Sequence, residues 1–148
     1  MGTIEEKFHG TWDLVSWTIE TKDGKVETPF GDNPVGQITY ERNGLMNVLI
    51  MKNDRPAFSS TDPLEGRPEE VIAAYHGFIA YSGRYEVNVE SMLVIHQIRI
   101  SSFPNWIGQS QVRKYDFNGD LLTLSTGFIG SRKHQLVWKR MAKSDSLQ

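Results

Sequence analysis

Through most of this chain apolar and polar residues alternate with a period of two. They fall in short runs rich in β-branched and aromatic side chains, separated by Gly, Asn, Asp and Pro. That period sends successive side chains to opposite faces of a strand, so the pattern predicts sheet with one apolar and one polar face. Eight strands are expected, over 10–21, 35–40, 45–51, 79–87, 92–100, 109–117, 121–125 and 133–140. Asn43-Gly44, Asn118-Gly119 and Asp23-Gly24 stand at junctions where a tight turn needs positive φ. Sequential hairpins make consecutive strands antiparallel neighbours, and no stretch alternates strand with helix, which disfavours a parallel sheet and its nucleotide crevice. The expectation is an all-β, eight-stranded antiparallel up-and-down barrel.

One segment changes period. From Pro68, whose fixed φ suits a first helical turn, Glu69 and Glu70 complement the helix dipole, and Val71, Ile72, Tyr75 and Phe78 or Ile79 form an apolar stripe. The stripe predicts one short α-helix lying on the barrel and covering an end. The preceding 52–67 carries Pro56, Pro63 and Gly66 beside Phe58 and Leu64, as expected of a long ordered loop across one mouth. Residues 1–9 read as an N-terminal segment, 10–141 as the barrel domain and 142–148 as a polar, flexible tail.

Composition narrows the function. A chain of 148 residues buries one core, and 16 basic against 18 acidic side chains leave a net charge of −2. No Lys/Arg cluster exceeds a pair such as Arg132-Lys133, so nucleic acid is not an expected partner. With no cysteine there is no disulfide framework, thiolate nucleophile or cysteine-ligated metal. The first residues lack the basic and apolar regions of a secretory signal, Glu6 stands where a myristoylation motif needs Ser or Thr, and no run spans a membrane. A cytoplasmic protein follows, with no membrane partner and room for a homodimer. His9, His76, His96 and His134 lie far apart, so neither metal nor cofactor is expected, and phosphate-loop, dinucleotide and nucleophile-elbow motifs are missing.

Strand alternation separates inside from outside. Lys114 and Asp116 belong in water, which turns Gln111, Arg113, Tyr115 and Phe117 inward. Gln97 and Arg99 outside place Met92, Val94, His96, Ile98 and Ile100 inside, while Arg84 and Glu86 outside place Tyr81, Gly83, Tyr85 and Val87 inside. The interior is then mostly apolar, with Tyr81, Tyr85, His96, Gln111, Arg113 and Tyr115 as its polar groups, the mixture a small-molecule site needs. Buried tyrosines such as Tyr81 and Tyr115 either complete the core or orient a ligand. An enclosed guanidinium needs an acceptor, and these faces supply no carboxylate. Phe103 and Trp106, in the loop after the fifth predicted strand, either plug the barrel or form a pocket rim.

Gly10-Thr11-Trp12 looks like the Gly-x-Trp opening of lipocalins. Pro34-Val35-Gly36-Gln37-Ile38-Thr39-Tyr40, Gly44-Leu45-Met46, Asp62-Pro63-Leu64-Glu65-Gly66, Tyr81-Ser82-Gly83-Arg84-Tyr85-Glu86-Val87, Phe103-Pro104-Asn105-Trp106-Ile107-Gly108 and Gln111-Val112-Arg113-Lys114-Tyr115 follow in order. Together they resemble the lipocalin-like domain family of small bacterial and fungal proteins over roughly 10–140. Arg67 departs from it, standing where members often have a small helix-capping residue. The resemblance implies a lipocalin-like barrel in which Arg140 closes over Trp12. It also implies either a passive carrier or a cofactor-independent isomerase or cyclase acting on a polyketide-like or terpenoid-like metabolite. On the binding reading Tyr81, Tyr115, Gln111, Trp106, Phe103, Met46 and Tyr40 contact a small, largely apolar or aromatic metabolite. On the catalytic reading His96 moves a proton while Arg113 and Tyr85 stabilise developing negative charge.

Overall fold

The computed structural model describes residues 2–142, so the expected tail lies, apart from Ala142, outside the described residues. The chain runs α1 (Ile4–Phe8), β1 (Gly10–Thr21), β2 (Val26–Glu27), β3 (Val35–Tyr40), β4 (Leu45–Met51), α2 (Pro68–His76), β5 (Phe78–Asn88), β6 (Leu93–Ser101), β7 (Ser110–Asn118), β8 (Leu121–Ser125) and β9 (Arg132–Arg140). Each long strand pairs antiparallel with its neighbour, and β1 pairs with both β3 and β9, which closes an eight-stranded barrel; two-residue β2 is an extra pairing on the far end of β1. The eight predicted strands are the eight of the barrel.

Two bulges reset the alternation. In β1, Leu14 faces Trp138 but Ser16 faces Val137, so Val15 is an extra residue and Trp17 turns inward. In β6, Ile98 faces Gly83 but Ile100 faces Ser82, so Arg99 is extra. Gly83 makes this possible, because a Cβ there would stand 1.8 Å from the Gln97 carbonyl oxygen. The same bulge corrects the expectation for Ile100, which is 56% exposed. Met92 is also outside, at the turn before β6 with φ 57°, since its strand begins one residue later.

One end of the barrel is sealed by α1, which five residues are too few to announce through periodicity. Phe8 is wholly buried, with its ring edge-on to Tyr40, Tyr115 and Phe117 at 4.9–5.1 Å. Trp12 Nε1 donates to the Phe8 carbonyl at 2.9 Å. Arg140 lies over the Trp12 ring at 4.1 Å and donates to the carbonyls of His9 and Lys7. The expected Arg140–Trp12 closure is present, and it anchors a helix.

Helix α2 starts at Pro68 as expected, but it corrects the reading of its stripe: no α2 residue is buried, and Val71, Ile72 and Tyr75 are about half exposed. Its hold is polar. Glu70 accepts from the backbone N–H of Arg67 at 3.0 Å and of Ser59 at 2.8 Å, tying the first turn to the 52–67 loop. The plug of one end is α1, while Tyr75 and His76 of α2 edge a shallow recess beside the barrel's other end.

Candidate functional site

Opposite the α1 seal the barrel holds a cavity of about 520 Å3. Ile38, Val48 and Ile50 from β3 and β4, Ile79 from β5, and Leu124 and Leu136 from β8 and β9 form its aliphatic wall. Trp17, Trp106 and Trp138 supply aromatic surface, and Ile129 borders it from the loop before β9. The polar groups are Tyr81, His96, Gln111, Arg113, Thr126 and His134. No carboxylate lines the cavity among the described residues.

His96 is buried between two tyrosines, with Tyr40 Oη 2.6 Å from Nε2 and Tyr81 Oη 2.7 Å from Nδ1. Burial first, and the Arg113 charge second, hold its pKa down at about 3, so the imidazole is neutral at ordinary pH and has one N–H and one acceptor nitrogen. Tyr40 is 1% exposed and has no other hydroxyl partner among the described residues. Its proton must therefore go to Nε2, because the opposite tautomer would strand a buried hydroxyl. His96 then donates from Nδ1 to Tyr81, and the Tyr81 hydroxyl keeps its own proton free for the cavity it lines.

The other polar groups lean the same way. Arg113 donates to Gln111 Oε1 at 2.9 Å and to the Val112 carbonyl at 3.0 Å, which leaves further guanidinium N–H groups and both Gln111 amide hydrogens. Trp17 Nε1 donates to His134 Nδ1 at 3.1 Å, and burial lowers the His134 pKa, so its neutral ring carries hydrogen on Nε2. Trp138 Nε1 is buried without a hydrogen-bond partner among the described residues. Burial raises the Tyr81 pKa to about 12, which keeps that hydroxyl a donor.

Five residues expected at the site line this cavity: Tyr81, His96, Gln111, Arg113 and Trp106. Five do not. Tyr40 stands behind His96; Tyr85 packs on Tyr40 at 4.8 Å and donates to the Glu41 carbonyl at 2.8 Å; Tyr115 and Met46 belong to the core that meets Phe8. Phe103 backs Trp106 edge-on at 5.3 Å and borders the recess instead. Tyr40, Tyr85, Tyr115 and Met46 share the inward face, but the α1 seal fills the barrel at their level, whereas Phe103 stands in the loop after β6 at the other end. Trp17, His134 and Trp138 join the site through the structure alone. The β9 alternation of Trp138, Leu136 and His134 carried a signal for two of them, whereas the Val15 bulge hid the third.

Fold and site together define a calyx: a closed up-and-down barrel, plugged at one end, with an internal cavity toward the other. The chain belongs to the lipocalin-like domain family, whose model matches residues 9–141. A relative from Aspergillus oryzae, named as a 4'-hydroxy-3'-methoxypropiophenone carrier protein, is 37% identical over 87 residues, covering 55% of this chain and 78% of the relative. Two designed proteins align with lower similarity. A redesigned β-barrel has TM-score 0.48 at 12% identity, covering 96% of this chain and 98% of its own. A de novo fluorescence-activating β-barrel has TM-score 0.47 at 16% identity, covering 95% and 100%. No helix among the described residues is long and apolar enough to cross a membrane.

Proposed function

We propose that this protein binds and carries a small, largely apolar, aromatic molecule inside the barrel. The observation that carries the reading is the cavity itself: about 520 Å3, walled by three tryptophans and branched aliphatic side chains, with a few placed polar groups. Ligand pockets commonly fall between about 300 and 1,000 Å3 with this kind of lining. The aryl-ketone carrier among its relatives supports the same reading.

The catalytic alternative draws on one specific feature, the Tyr40–His96–Tyr81 chain, along which a proton could pass. Against it, a histidine whose pKa is held at about 3 is a weak general base at neutral pH, because a useful base titrates near the working pH. The carrier reading therefore leads.

The test is saturable binding of 4'-hydroxy-3'-methoxypropiophenone and related aryl ketones, followed by quenching of the cavity tryptophans and by calorimetry. One-to-one binding that is lost when Val48→Phe fills the cavity supports the reading. Binding indifferent to Val48→Phe, or conversion of the ligand by wild type, overturns it.

A further inference from the structure

The spare hydrogen-bonding capacity of this cavity lies mostly on the donor side. Tyr81 Oη–H, the Gln111 amide, His134 Nε2–H, Trp138 Nε1–H and the unused guanidinium hydrogens of Arg113 are all donors. Arg113 adds a full positive charge, partly buried, whose side-chain and backbone partners are both neutral. A cation kept from water without a counter-charge is costly, and a ligand that brings the missing charge relieves that cost. Resting on the carrier reading, we propose that the cavity recognises a phenol and binds it as the phenolate, with the charged oxygen at Arg113 and the Tyr81 hydroxyl and the ring against the aliphatic and tryptophan walls.

The lining favours phenolate over carboxylate. Recognition of a carboxylate uses the guanidinium fork in a bidentate way, and Nη1 and Nη2 of Arg113 each give one of their two hydrogens to another acceptor, so two oxygens must share the fork with those bonds whereas one oxygen needs a single remaining hydrogen. A phenolate presents one oxygen and spreads its charge into a ring that the apolar wall can bury. Tyr81 is the partner group because the His96 relay leaves its proton free, and because burial keeps it from ionising in the ligand's place.

Three probes of similar size separate the outcomes: 4-nitrophenol, 4-nitroanisole and 4-nitrobenzoate, each followed by calorimetry, with absorbance for the phenol. At a pH about one unit below the pKa of free 4-nitrophenol, the bound probe is expected to show the phenolate band. A mostly ionised bound probe at that pH needs a bound pKa about two units below the free one, so it should bind about tenfold tighter than 4-nitroanisole, each pKa unit being one decade of affinity between the two protonation states. Arg113→Met should abolish the band while 4-nitroanisole still binds, which shows that the barrel is intact, and Arg113→Lys should retain it. If 4-nitrophenol binds as the neutral phenol and no better than 4-nitroanisole, the phenolate site is refuted while the carrier reading stands. Preference for 4-nitrobenzoate refutes the choice of phenol, and failure of wild type to bind any probe takes both readings down.

Discussion

The Tyr40 hydroxyl lies 2.6 Å from Nε2 of His96, and this single contact sets which proton the cavity can offer. Tyr40 faces Phe8 and Tyr85, and Tyr81 faces the cavity, so the two tyrosines on one imidazole are not equivalent. Tyr40→Phe removes the donor to Nε2 and leaves a buried acceptor unmet, at a cost of about 1–3 kcal/mol in denaturant unfolding. Tyr81→Phe strands the Nδ1 hydrogen and also deletes the hydroxyl that faces the ligand. It should weaken ligand binding far more than Tyr40→Phe does. Equal losses of binding in the two variants would show that the asymmetry is wrong.

His96 also predicts a pH dependence. Its folded pKa lies at about 3, below the ordinary 6.5, so between these values the unfolded chain takes up a proton that the folded chain refuses. Stability from this residue is intact above pH 6.5 and falls as the pH drops, by about 1.4 kcal/mol per pH unit, until the folded state itself titrates. His96→Gln keeps one donor and one acceptor for the two tyrosines but cannot titrate. Its stability between pH 6.5 and about 4 is expected to change less steeply than that of wild type by roughly that slope. Parallel curves would place the charge-sensitive group elsewhere.

Gly83 is where the sheet tolerates least. Any Cβ would run into the Gln97 carbonyl, which is backbone and cannot swing away. Gly83→Ala is expected to destabilise by about 1–3 kcal/mol or more, as overpacking does. It should also disturb His96, which lies two residues before Ile98 at the bulge. A variant that melts like wild type would mean that the bulge is not fixed by this contact.

How much of this could be read in advance depended on whether the local pattern stayed regular. The eight strands and the inward positions of His96, Gln111, Arg113 and Tyr81 followed from unbroken alternation. Ile100 and Trp17 did not, because one inserted residue at Arg99 or Val15 reverses the face of everything after it, and neither insertion changes the hydrophobic composition of its run. Tyr85, Tyr115 and Met46 face inward as expected. Alternation distinguishes inside from outside but not one end of a barrel from the other. Only α1, too short to read as a helix, decides which end is filled.

Two arginines give the sharpest contrast. Arg140 stacks on Trp12 and donates to the carbonyls of His9 and Lys7, so its charge is well employed at the sealed end and remote from the cavity. Among the described residues Arg113 has a neutral amide and a neighbouring carbonyl for partners. Replacing Arg140 by Met strands acceptors and frees α1, which should cost about 2–4 kcal/mol from charged hydrogen bonds and the cation–π contact. Ligand affinity under conditions where the variant is folded should stay near wild type. Replacing Arg113 by Met should do the opposite, because a cation without a counter-charge carries a desolvation cost in an apolar site that a Met side chain does not. Melting temperature is expected to hold or rise while affinity for an acidic aromatic falls. Thermal melts and calorimetry on the two variants decide the matter. A loss of stability in Arg113→Met comparable to that in Arg140→Met would mean that Arg113 serves the fold, and the polar end of the cavity would then lose its assigned purpose.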